Sequence, residues 1–262
     1  MADLVDNVPL RAAIAAFAEA PDQARYFEVL RAATQGSLLL DATGSKIQFT
    51  EDGSSIAQGS TIGFHEGKGP DGELALFAFT NQQQAIKMHA SDPESVQTIG
   101  QSAIGTLEFA ASQYTWLYID PAGPTCAVKV ADINFVLRNA HNDAVKEALA
   151  GAGDNRAAVI DALAAGGQLL YAVAENEDGS VQVRTSVSPT GAPVYLAFTS
   201  AAEVIAREPT AAVASIDLSR IVSDALTEPF EGLVINPAGP WIALDRNDLL
   251  ALQSRLPEPE SP

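Results

Sequence analysis

The chain carries the same pattern twice. Leu74 to Met88, LALFAFTNQQQAIKM, resembles Pro193 to Arg207, PVYLAFTSAAEVIAR, with Ala-Phe-Thr at 78–80 and again at 197–199. Trp116 to Leu137, WLYIDPAGPTCAVKVADINFVL, resembles Gly232 to Leu252, GLVINPAGPWIALDRNDLLAL, and Pro-Ala-Gly-Pro recurs at 121–124 and 237–240. Both blocks repeat in the same order, at offsets of 119 and 116 residues. Self-similarity of this kind is read before any single element, because a missed repeat misassigns the whole fold. Upstream, Leu10 to Leu40 and Val145 to Tyr171 correspond more weakly. They end in Gly36-Ser37-Leu38-Leu39-Leu40 and Gly167-Gln168-Leu169-Leu170-Tyr171, at an offset of 131. The first copy thus has about 12 extra residues, assigned to the Gly- and Ser-rich stretch Ser54 to Gly72, which reads as a loop.

The length of 262 residues fits two such units. They are expected at 1–140 and 141–256, with the division near Asn139-Ala140-His141-Asn142-Asp143 and a Pro/Glu-rich tail, 257–262, that frays. The net charge is −18, from 15 basic and 33 acidic residues, and the two copies share it almost evenly. That balance argues against nucleic acid, whose phosphates are bound by Lys and Arg, and against an anionic membrane surface. The apolar segment after Met1 lacks a basic start and is broken by Arg11 and Glu19, so it does not read as a signal peptide. No run of 18 apolar residues exists. A lone cysteine, Cys126, precludes an intrachain disulfide. A cytoplasmic location is expected.

Within each copy the periodicities alternate. Leu10, Ile14, Phe17 and Ala18 are spaced for a helix, as are Tyr26, Val29, Leu30 and Ala33 after the turn at Pro21-Asp22. Apolar runs at 37–41, 46–50 and 74–79 read as strands. Thr80-Asn81-Gln82-Gln83 and Ser200-Ala201-Ala202-Glu203 fit helix capping boxes. Val96, Ile99, Ala103, Leu107 and Ala110 predict a further helix, matched by Leu218, Ile221, Val222 and Ala225. Strands at Trp116–Ile119 and Leu233–Ile235 lead into Asp120-Pro121-Ala122-Gly123 and Asn236-Pro237-Ala238-Gly239. Asx, Pro and Gly there fit positions one, two and four of a type I turn. A last short helix starts near Asp132 or Asp245. The fold class is α+β: two tandem copies of one domain with mainly antiparallel sheet and flanking helices.

This order of elements resembles the SseB family, the bacterial enhanced serine sensitivity protein, whose N-terminal domain defines it. The residues that carry the resemblance are Ala197-Phe198-Thr199-Ser200 with Gly232 to Gly239, and Ala78-Phe79-Thr80-Asn81 with Leu117 to Gly123. The first copy departs from the second in having Asp120 where the second has Asn236. The resemblance implies no catalytic residues and no cofactor. The family name records a growth phenotype, pointing loosely to amino-acid metabolism or its regulation.

The candidate ligand or partner surface consists of Phe79, Thr80, Asp120, Pro121 and Gly123, with Phe198, Thr199, Ser200, Asn236, Pro237 and Gly239. Each block also has a structural reading. A buried Phe contributes about 1.5–3 kcal/mol of transfer free energy, and a capping hydroxyl about 1 kcal/mol. Other motifs fall short. Gly67-Lys68-Gly69 lacks the glycine spacing and the Ser/Thr of a phosphate loop and reads as a mobile surface loop. Gly100-Gln101-Ser102 is placed mid-helix, away from a nucleophile elbow. His65, His89 and His141 are far apart in sequence with no ligand-pair spacing, so no metal site is expected. Cys126 reads as a buried, inert thiol. The acidic run Glu175 to Gly179 reads as a turn that is solvated or at most binds a cation weakly, without the spacing of an EF-hand loop.

Three functions compete. The first is a non-enzymatic interaction or regulatory module whose partner is another protein, with the acidic surface steering a basic one. The second is a sensor of an amino-acid-related small molecule. The third is an enzyme assembled from Asp120, Asn236, Asp245 and Asp248.

Overall fold

A computed structural model describes residues 5–46, 48, 57–151, 156–175 and 180–257. The chain divides into two compact units, Met1–Asn134 and Phe135–Pro262. Most of the expected strand at 46–50, the start of the 54–72 loop, most of the acidic run 175–179 and the tail 258–262 lie outside the described residues.

In the first unit, α1 (Val8–Glu19) is capped by Asn7, whose Oδ1 accepts from the Leu10 amide. Pro9 sits in its first turn, where a missing N–H costs nothing. Asp22 caps α2 (Gln23–Ala32) in the same way. There follow β1 (Ser37–Asp41), β2 (Glu66–Lys68), β3 (Leu74–Phe79), α3 (Gln82–Met88), β4 (Thr98–Ser102), α4 (Ala103–Gln113), β5 (Trp116–Ile119), β6 (Cys126–Lys129) and α5 (Val130–Leu137), within which the division between the units falls. The strands form one sheet in the order β4-β1-β3-β5-β6, with β2 also on β3. Only β3 and β5 run parallel; the other pairs are antiparallel.

Two expectations are corrected here. Helix α4 starts at Ala103, and Ile99 belongs instead to β4, paired with Leu40. The β-branched pair Thr98-Ile99 and Gly100 are poor helix formers, and the edge of β1 offers them a ladder. Glu66–Lys68, expected in a loop, is β2. Gly67 is there for space: a Cβ on it would meet Phe77 Cζ at 2.2 Å.

The second unit comprises α6 (Asp143–Ala150), α7 (Arg156–Ala164), β7 (Gln168–Glu175), β8 (Val181–Val183), β9 (Thr185–Val187), β10 (Pro193–Ala197), α8 (Ala201–Arg207), β11 (Ala212–Asp217), α9 (Leu218–Ala225), β12 (Gly232–Ile235), β13 (Ile242–Asp245) and α10 (Arg246–Gln253). The orders β11-β7-β8 and β13-β12-β10-β9 are linked by an antiparallel bridge, Leu170↔Phe198. Leu39↔Phe79 is the same pair in the first unit. Again only β10 and β12 are parallel. The repeat is therefore one α+β topology used twice.

Each sheet is covered on both faces, because alternate residues of a strand point opposite ways. In the second unit Leu169 and Tyr171 of β7 join Val145, Val159, Leu163, Ile221, Val222, Leu249 and Leu252 from α6, α7, α9 and α10. Leu170, Leu196 and Phe198 face the other way, onto Ala201 and Val204 of α8. In the first unit Leu39 and Phe79 likewise pack on Ala85 of α3. Both phenylalanines are 0% exposed. We expect Phe198→Ala to cost about 3–5 kcal/mol, read as an earlier urea transition of the second unit.

Candidate functional site

The motif residues converge, but on each other. Asp120 and Asn236 close the parallel strands with left-handed backbone, φ 53° and 54°, the only non-glycine residues with positive φ among those described. Asx tolerates that region because its short side chain bonds locally. Asp120 N donates to Ala78 O at 3.0 Å, and Asn236 N to Ala197 O at 3.0 Å. The side chains then reach across to the end of the neighbouring strand. Asp120 Oδ1 accepts from Thr80 N (2.9 Å) and Oδ2 from the Thr80 hydroxyl (2.7 Å). Asn236 Oδ1 accepts from Thr199 N (2.9 Å), and its Nδ2 donates to Thr199 Oγ1 (2.8 Å). The hydroxyl is donor in one copy and acceptor in the other, as a carboxylate and an amide require. The turns are as expected, with Gly123 N and Gly239 N donating to Asp120 O and Asn236 O at 3.1 Å.

Sequence reasoning missed the third member of this knot. Asn7 N donates to Thr80 O, and Asn142 N to Thr199 O. Asn7 Nδ2 donates to Gln35 O and Ser37 O, around Gly36 at φ +70°. Asn142 Nδ2 donates to Gly166 O and Gln168 O, around Gly167 at φ +106°. An Asn three residues before an apolar helical position, in both copies, was the available signal.

The expected capping boxes do not form. Asn81, not Thr80, caps α3, accepting from Gln84 N at 3.0 Å, because the Thr80 side chain is held by Asp120. Ser200 stands at the cap of α8 without a side-chain cap bond, and its Oγ is buried. Asp245 and Asp248 form the capping box of α10, and Asp248 also pairs with Arg156. Ser102 is at a strand-to-helix junction, not mid-helix, and its Oγ accepts from Gly105 N as the cap of α4. Cys126 is buried, and burial pushes its thiol up to about 12.

Three residues that sequence spacing kept apart are brought together in the first unit. Asp41 ends β1, His65 directly precedes β2, and His89 caps the C-terminus of α3. His89 Nε2 lies 2.5 Å and His65 Nδ1 3.9 Å from Asp41 Oδ2. Asp41 Oδ1 accepts from Thr43 N at 2.9 Å. Burial works to raise the Asp41 carboxyl, but the bonds from Thr43 and His89 hold it below the ordinary carboxylate range. The expectation of scattered histidines is thus corrected for this pair, while His141 pairs with Asp143 in the other unit. Beside the cluster, Thr43, Ser45, Lys46, Thr61, Phe64 and His65 line an open cleft of about 380 Å³.

The family model described as the SseB protein N-terminal domain matches residues 10–134 and 143–251. No curated protein and no solved structure matches the chain. Among the described residues no helix is long and apolar enough to cross a membrane.

The clamp predicts a charge effect. Burial, outweighing the Thr80 bonds and the nearby Arg11 and Lys87, pushes the Asp120 carboxyl above the ordinary carboxylate range. A raised folded value means stability fully present below the unfolded value and lost as pH rises through the folded one. Asp120→Asn, which copies the second unit, should remove that loss and stabilise by about 1–2 kcal/mol at pH 7. Asn236→Asp should destabilise by a similar amount. Urea unfolding of both variants and the parent between pH 4 and pH 7 reads the difference.

Proposed function

The chain belongs to the SseB family, as two tandem copies of its N-terminal domain, and on that premise we propose that it acts by binding and not by catalysis, as a protein-interaction or regulatory module in the cytoplasm. One observation carries the reading. Phe-Thr, which both copies share, and the Asx of the turn are 0–1% exposed, and the Thr and Asx are hydrogen-bonded to each other. These residues serve as scaffold, while His65 and His89 of the first copy stand against Arg184 and Glu208 in the second. A net charge of −18 suits a basic partner, because electrostatic complementarity raises association rates and favours one sign of surface.

A second reading, a sensor of an amino-acid-related ligand, is favoured by the cleft at Lys46 and His65. Its volume of about 380 Å³ falls among small-molecule sites, and the Lys46 ammonium suits a carboxylate.

Capture on the full-length chain from native lysate, followed by titration of the purified partner, tests the first reading. We expect a reproducible basic partner whose association slows markedly between 50 and 500 mM salt; none recovered overturns it. Thermal-shift measurement against amino acids tests the second. At 100 times the dissociation constant a ligand stabilises by about 2.7 kcal/mol, and no shift with any of them rejects it.

A further inference from the structure

We propose that Asp41, His65 and His89 form a binding site for one divalent transition-metal ion of the zinc type, which clips the strand β1, the start of β2 and the end of α3 together. The inference is independent of any partner or ligand of the scaffold. Among the described residues these three form the one group of His, Cys, Asp or Glu whose ligand atoms all lie within 4.8 Å of one another. Two imidazoles and a carboxylate are a donor set that zinc accepts, with nitrogen and oxygen bonds of about 2.0–2.2 Å. Tetrahedral bonds of that length put ligand atoms about 3.3 Å apart. The 2.5 Å approach of His89 to Asp41 would open slightly, and the 3.9 Å approach of His65 would close.

The surroundings prepare the ligands. Asp41 is fully buried, one carboxylate oxygen fixed by Thr43 N and the other directed at the histidines. Ligand carboxylates are commonly oriented by such outer hydrogen bonds. His65 is tied through its own backbone, whose N–H donates to Asp41 O at 2.9 Å. It stacks on Phe77 at 6.2 Å and meets His89 edge-on at 5.3 Å. Three protein ligands leave one position of a tetrahedron for water or an incoming group, and His65 also forms part of the cleft wall.

The second copy shows that the fold does not need this cluster. Arg184 N donates to Ala172 O at 2.8 Å, reproducing the bond between His65 and Asp41, and Glu208 caps α8 as His89 caps α3. With the backbone kept, Asp, His and His have become Ala172, Arg184 and Glu208. Ala172 has no donor atom and Arg184 is a permanent cation, so that place is closed to a metal. A constellation dispensable to the fold and complete in one copy only is the mark of a site.

Isothermal titration of ZnCl2 into chelator-stripped, full-length protein tests the proposal. We expect one ion per chain, with a dissociation constant on the order of 1 μM or below. Loss of a ligand should weaken binding tenfold or more in His65→Gln, His89→Gln and Asp41→Asn, while His141→Gln titrates like the parent. Circular dichroism checks that each variant is folded. Should the variants of buried Asp41 or half-buried His89 fail to fold, His65→Gln decides, since its side chain is 44% exposed. No saturable uptake, or a loss below tenfold in His65→Gln, overturns the site.

Discussion

Each unit depends on a side chain that crosses from the end of one parallel strand to the end of its neighbour. Parallel pairing is the difficult part of this topology. It has no tight turn to set its register and joins segments some 40 residues apart. Asp120 and Asn236 resolve this by adopting left-handed backbone directly after the strand. The main-chain N–H then bonds the adjacent strand, while the side chain takes up both polar groups of the following Thr. The Asn at the first helix adds a third strand end to the same knot. Burial of Phe79 and Phe198 beside it removes water that would compete for these bonds.

Much of this was legible in the sequence, though for unequal reasons. The strands at 37–41 and 74–79 and the helix at Leu218–Ala225 follow directly from apolar spacing, which packing reinforces. The type I turns were visible because Pro and Gly mark them. The clamp was not, because a positive φ at Asx and a bond across about 40 residues leave no local periodicity. Thr80 and Ser200 looked like caps for the same reason. The local rule was sound, but in the first copy a distant carboxylate had taken the hydroxyl. The Asp41–His65–His89 cluster was invisible for a third reason. Its members are united by β1 and β2 lying one after the other along the same edge of β3, and a register cannot be read from spacing.

The duplicated units keep their interior and change its charges. Position 120 is an acid and 84 an amide in the first unit; the equivalents, Asn236 and Glu203, exchange these roles. All four are buried or nearly so. Each unit thus carries one acid among these places, on the turn in one and on the helix in the other. A neutral clamp is the less costly arrangement, since a buried carboxylate loses hydration that two hydrogen bonds only partly replace. The surface has diverged further. The clustered histidines of the first unit, His65 and His89, correspond to Arg184 and Glu208 in the second, so the copies present different chemistry from the same backbone positions.

The placement of the clamps has a consequence for how such a chain emerges during synthesis. Every strand of the first sheet, and the Asp120 that ties it, precedes Asn134. Among the described residues no strand of the second unit inserts between them. The leading unit therefore has all of its pairing partners before the trailing one has been made, and domains generally fold as units in that order. Two similar Phe-Thr segments in one chain invite exchange of β3 for β10. Completion of the first sheet ahead of the second removes the free edge on which such an exchange would begin.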